Sequence, residues 1–424
     1  MMVARAGTTT ALESNNKAAV AGERLLALDG LRGLTVFLML LVNNLALQES
    51  TPDQLVHAPF GGVTLADLVF PWFLFCMGAA IPYAITSFDK QKLSLWRRLL
   101  RILRRTSLIF LLGLFLTSAL ARTPVFALGV LQLIALAYCL AVLIYLISPR
   151  PAFLLAVAAV LLVGYWAAIR FVPIPGAGPG IFEEDRNLLL HLNKTYLEPL
   201  GLRGLLSTIP TAALALLGAM VAQMLRAWRK NPVEVERPGP AALACGPQEG
   251  LAACRLLFQL LLLGSAMTGL GYGWSLELPF SKTFWTPPYI LFSAGLATLL
   301  IGVFYVLLDL GRQKWLAFPL LVFGSNALLA YVLPILFKVW VLQSWTVSLN
   351  GVQVSLQQAW LNWHVARQRG GGGGVDVHTA LHPGLVAGVM VVLRPKDFSQ
   401  GLEPRGVNLI PDAKRSSPKQ GVVR

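Results

Sequence analysis

The chain is 424 residues long, 56% hydrophobic and only 13% charged, where a soluble domain carries roughly 25% charged residues. Its mean hydropathy is +0.65, and runs of about 20 apolar residues, the length that crosses a bilayer core, recur along it. That pattern excludes an ordinary soluble domain, and the lack of short alternating segments excludes a β-barrel.

Residues 1–23 are polar and rich in Ala, Ser and Asn; they are expected to form a disordered cytoplasmic leader. No cleavable signal pattern is visible, so the first span is expected to be an uncleaved anchor. Apolar spans follow at 34–47 (reaching back to about 28), 65–86, 100–120, 125–147, 152–169, 204–225, 255–274, 288–308 and 317–342. The expected fold is therefore all-α, a polytopic transmembrane helical bundle of nine spans, with a tenth left open, filling residues 24–345. The stretch 226–254, containing "RKNPVEVERPGPAALACGPQEG", reads as a linker. After 345 the chain turns to "RQRGGGGGVDVHTALHPG", and "LVAGVMVVL" (385–393) is too short to span. Residues 346–424 are expected to be a divergent, largely disordered tail.

The net charge of +15 sits mostly in alternate loops. Arg97, Arg98, Arg101, Arg104 and Arg105 follow the second span, Arg150 the fourth, Arg226, Arg229 and Lys230 the sixth, and Arg312 and Lys314 the eighth. The other exits are poor in base, with Arg122 after the third and an acidic run, Glu183, Glu184 and Asp185, after the fifth. The positive-inside rule then puts the N-terminus and the arginine loops in the cytoplasm, in a multi-pass protein of the inner (plasma) membrane, and His57 outside. Basicity explained by topology leaves no call for nucleic acid as a partner; the expected partner is the lipid bilayer.

Some polar residues sit where lipid should reject them, and such groups usually face a bundle interior or a wet cavity. In "LDGLRGLTVFLMLLVNNL", Asp29 precedes Arg32 by one helical turn and can pair with it. Arg32 and Asn43 share a face, being about three turns apart. A structural ion pair and an interhelical amide bond are the plain readings of these groups. Asp67 in "TLAD" fits a capping box with Thr64. Two features add to that. Pro71 has no N–H, so the Asp67 carbonyl loses its usual partner four residues on. "HAPFGG" is a tight, glycine-rich approach that brings His57 back towards Asp67, and a histidine beside a carboxylate is how a general base is oriented. The four cysteines and five histidines show no metal-ligand spacing, so no metal is expected.

The segments "LDGLRGLTVFLMLLVNN", "HAPFGGVTLADLVFPWFLFCMGAAI", "GLLSTIP", "WTPPYILFSAGLA" and "FGSNALLAYVL" occur in that order. Over roughly residues 24–340 the chain resembles the heparan-α-glucosaminide N-acetyltransferase family and its bacterial relatives. The resemblance implies a multi-spanning acetyltransferase that takes acetyl from cytosolic acetyl-CoA and delivers it to the amine of a glucosamine-type sugar on the other side. Its catalytic histidine maps onto His57, and polar residues of the same motifs onto Asn43 and Asp67. A sugar amine attacking a thioester needs a base for its proton and donors for the developing oxyanion, for which buried amides such as Asn43 or Asn326 are candidates. Direct transfer and an acetyl-histidine route both remain open. Arg32 and Arg101 are candidates for the phosphates of acetyl-CoA, and Asn326 and Lys282 for binding the amino sugar; a homodimer is a further expectation. The short 170–203 loop favours a small amino sugar over a large polysaccharide. An amino-sugar permease, which also needs a polar path through a bundle, and a non-catalytic membrane protein are the alternatives.

Overall fold

In the computed structural model, residues 25–44, 51–176, 178–230, 247–311, 314–349 and 352–360 are described. The leader, most of the linker and residues 361–424, including the 385–393 run, lie outside them.

The helices in chain order are α1 (Leu26–Asn44), α2 (Leu65–Ala79), α3 (Ile81–Lys90), α4 (Leu95–Ala121), α5 (Val130–Ile147), α6 (Pro151–Phe171), the short α7 (Leu188–Leu192), α8 (Thr208–Lys230), α9 (Pro247–Ser275), α10 (Pro287–Phe304), α11 (Lys314–Ser325) and α12 (Ala327–Phe337). A two-stranded antiparallel hairpin, β1 (Thr346–Leu349) with β2 (Val352–Ser355), follows them. Seven of the nine expected spans are helices long and apolar enough to cross a membrane; α2 and α3 run together as one of them, Leu65–Lys90.

The expected spans at 100–120 and 317–342 are not among those seven, so a count of nine or ten is not reached among the described residues. α4 is 27 residues long, with five arginines in its first three turns and an apolar remainder. The span expected at 317–342 is broken: Phe318–Gly324 and Ala327–Leu342 meet at 77°, and counting that pair as one span gives eight among the described residues.

Burial separates centre from rim. The span over α8 is 78% buried, against 28% for those over α6 and α9. α8 packs on α2, α5 and α6, and α10 joins α9, α1 and α2 to the same core. The rim helices turn large apolar side chains outwards, among them Leu108 and Phe115 on α4, Val160 on α6, and Phe258 and Leu262 on α9, as a lipid-facing surface requires. α8 is central because its inner face is small: Ala212, Ala215, Gly218, Ala219 and Ala222 let a neighbouring backbone come close. A Cβ on Gly78 would overlap the Ala215 carbonyl, and one on Gly218 the Phe75 carbonyl. Gly78→Val is therefore expected to cost about 3 kcal/mol from overpacking, read as a lower melting temperature in detergent and poor accumulation in the membrane.

α1 is held at both ends of its first half. Asp309 accepts the Ala27 N–H (2.9 Å), satisfying a first-turn donor. Arg32 pairs with Asp29 and donates through Nε to the Gly324 carbonyl (2.6 Å). Gly33 lies against the backbone of Leu320, and Gly324 against that of Asp29. Arg32 thus clasps α1 to α11 beside the bend.

Candidate active site

The segment before α2 is shaped by its own side chains. Gln54 accepts the Leu65 N–H (3.1 Å), and the Thr64 hydroxyl donates to the Val56 carbonyl (2.7 Å). Gly62 closes a turn onto the Pro59 carbonyl (3.0 Å). Gly61 has a φ of 90° and bridges to Phe280; only glycine takes that backbone region without strain. This bridge ties the histidine loop to the loop before α10.

That second loop, residues 279–286, is pinned by Thr286, whose hydroxyl accepts the Ser281 N–H (3.0 Å) and donates to the Pro279 carbonyl (3.1 Å). Trp285 sits at φ 51°, a left-handed conformation costly for a bulky residue. It is held there by ring contacts with Phe70 and Tyr289, at 5.3 and 5.9 Å between centroids. The result presents Lys282 to the histidine loop.

Asp67 lies where the two loops meet, its side chain 5% exposed. Oδ2 accepts the N–H groups of Ala58 (3.0 Å) and Thr64 (3.2 Å). The Thr64 bond is one half of the expected capping box. Oδ1 accepts His57 Nδ1 at 2.8 Å and faces the Lys282 ammonium at 3.5 Å. Asp67 is thus both a cap and the partner of His57.

Since Nδ1–H donates to Asp67, the bonding network assigns His57 the tautomer whose Nε2 is an acceptor. The His57 side chain is 45% exposed, so Nε2 can be approached from outside. Lys282 Nζ stands 3.2 Å from Nδ1 and 3.3 Å from Nε2. An in-plane position equidistant from both nitrogens would collide with Cε1, so the ammonium lies over the ring. Burial lowers the Lys282 pKa from the usual lysine value, and Asp67 opposes that shift.

The Asp67 carbonyl, deprived of an N–H by Pro71, accepts the Tyr289 hydroxyl at 2.6 Å. Tyr289 is fully buried on α10. Sequence reading exposed the unpaired carbonyl but not its partner. Tyr289→Phe should leave that buried acceptor bare and cost roughly 1–3 kcal/mol, measured by thermal unfolding. Adding Pro71→Ala restores an N–H four residues on and should return part of the loss.

The remaining candidates are dispersed. Asn43 is half-buried near the end of α1, one turn beyond Met39, which lines an apolar crevice with Phe70. That puts Asn43 at about the depth of Asp67, yet no hydrogen bond joins it to His57, Asp67 or Lys282. Asn326 begins α12 at the bend, two residues past the carbonyl that takes Arg32, and is not among the groups touching His57. Arg32 is engaged in the clasp of α1 to α11. Arg101 bonds Gln91 (2.7 Å) and lies over the Phe88 ring. Among the described residues, no group of three His, Cys, Asp or Glu side chains could hold a metal.

A second polar cluster surrounds Arg101 at the far end of the Leu65–Lys90 span. Arg98 pairs with Asp89 (2.6 Å). Arg226, on α8, donates to the Pro82 carbonyl (2.9 Å) and the Thr86 hydroxyl (2.5 Å) and lies over the Tyr83 ring. In the sequence Arg226 counted only as a topology signal. At 1.5 Å per residue, Thr86 is about 28 Å along the helix from Asp67, close to the thickness of a bilayer core. The two clusters therefore occupy opposite ends of one span. Trp166, Phe171 and Trp274 stack edge-on near the His57 end, where tryptophan commonly marks a membrane interface.

Residues 24–191 match a family model described as a domain of unknown function, DUF5009. Human heparan-alpha-glucosaminide N-acetyltransferase is 23% identical, over 73% of this chain and 52% of that protein. The mouse protein of the same name is 24% identical, over 74% and 53%. The chain spans about half the length of the curated relatives it matches. The seven apolar helices and these matches describe a multi-pass membrane protein with a distant similarity to the heparan-alpha-glucosaminide N-acetyltransferases.

Proposed function

We propose that the protein is a transmembrane N-acetyltransferase that moves acetyl from cytosolic acetyl-CoA to the amine of a glucosamine-type sugar on the outer side of the inner membrane. The observation that carries this reading is the histidine held by a buried carboxylate, Nδ1 to Oδ1 at 2.8 Å, with Nε2 turned to an accessible face. His57 Nε2 removes the proton from the attacking amine, and Asp67 keeps the imidazole in the required tautomer and steadies it as it charges. The arginine cluster at the opposite end suits the phosphates of the donor. With that end cytoplasmic, as the loop charges suggest, the N-terminus is cytoplasmic and His57 external. Asn43, at similar depth, is the amide candidate for the oxyanion.

The test is made on purified protein in sealed vesicles, with acetyl-CoA on the arginine side and glucosamine on the histidine side. N-acetylglucosamine should form on the histidine side, identified by mass spectrometry. Glucosamine crossing unmodified, with no acetylated product, would replace this reading with that of a permease.

A further inference from the structure

We infer that Lys282 is itself an acetyl acceptor, a self-modification site that takes the acyl group when no amino sugar is bound beside His57. This rests on the transfer reading above and extends it to a group the chain supplies. Three observations carry it. Lys282 Nζ lies over the His57 ring, 3.2 Å from Nδ1 and 3.3 Å from Nε2, so a primary amine already stands beside the nitrogen that takes the acceptor's proton, one side-chain rotation from the in-plane lone pair of Nε2. The loop holding it is fixed at both ends, by the Gly61–Phe280 bridge and by Thr286, so only the lysine side chain has to turn, not the loop. One third of the Lys282 side-chain surface remains exposed, so the residue is not sealed inside the bundle. The lowered pKa agrees with an amine that gives up its proton more readily than a surface lysine.

The step balances without another reactant. Turned to the ring edge, the ammonium passes one proton to His57 Nε2, and Nζ attacks the carbonyl of the acetyl thioester. The new N–C bond forms as the C–S bond breaks. The amine's second departing proton goes to solvent, and the imidazolium returns its own to the thiolate. The product is a neutral amide, so Asp67 Oδ1 loses its ammonium partner and the acceptor's place is filled by a side chain that cannot react again.

The experiment incubates the full-length protein in vesicles with deuterated acetyl-CoA and no amino sugar, then measures the label on each lysine by peptide mass spectrometry. Lys282 should carry deuteroacetyl well above Lys194, an exposed lysine of the same end region. Glucosamine should lower the label in proportion to its concentration. His57→Ala and the milder His57→Gln should each cut Lys282 labelling by roughly 10²-fold, the scale of a lost general base, and Lys282→Arg should remove it from that peptide. Lys282 unlabelled in a preparation that acetylates glucosamine overturns the inference and leaves the transfer reading standing. Equal labelling of Lys282 with and without His57 also overturns it, by reducing the label to ordinary surface chemistry. A preparation that acetylates neither lysine nor sugar overturns both.

Discussion

His57→Ala lowers acetyl transfer by about 10²-fold or more, the loss expected when a general base is removed, while the protein still inserts and folds. The structure explains why the fold should survive. The His57 side chain is nearly half exposed and, among the described residues, meets only Asp67 and Lys282, so its removal opens no core cavity. Asp67 keeps its two backbone donors and its lysine, so the buried carboxylate is not abandoned. The measurement is product formation with glucosamine and acetyl-CoA on opposite sides of a sealed vesicle, alongside a melting curve. Full transfer by the variant would take the histidine out of the mechanism.

Asp67→Asn separates the two roles of one carboxylate. If capping were its whole contribution, asparagine would serve nearly as well, with at most about 1 kcal/mol lost in stability and near-normal activity. The geometry predicts a different result. Oδ2 accepts two backbone N–H groups, and Oδ1 faces the Nδ1–H of His57 and the Lys282 ammonium, so every partner points a donor at it. Asparagine offers one carbonyl oxygen and one NH2. With the oxygen turned to the backbone, the NH2 meets Nδ1, the imidazole switches tautomer, and Nε2 carries a hydrogen instead of accepting one. Activity should then fall nearly as far as in His57→Ala, roughly 10²-fold, with stability close to normal. The double variant should be barely worse than either single one, because the pair acts as a unit. Additive losses would show that the two side chains act independently.

Features within a few residues of each other were legible in the sequence. Apolar runs announced seven helices of spanning length, since backbone in lipid must bond to itself and leaves helices as the answer. The Thr64–Asp67 half-box is an i, i+3 relation, and the missing amide of Pro71 is an i, i+4 one, so both could be read without a fold. His57 lies ten residues before Asp67 in a turn-rich stretch, still close enough for a pairing to be anticipated. Lys282 appeared among the candidates with no geometry to say what it would touch.

What only the tertiary structure decided is which distant groups arrive. Tyr289 meets the Asp67 carbonyl left bare by Pro71 from 222 residues beyond Asp67, and Lys282 reaches His57 across 225. Arg32, a phosphate candidate by its charge, bonds a carbonyl 292 residues on, beside the α11–α12 bend. A hydrogen-bonding deficit is a local property and can be counted along the chain; the donor or acceptor that meets it is selected by helix packing, here by the glycine and alanine contacts that let α1, α2, α8 and their neighbours close on one another.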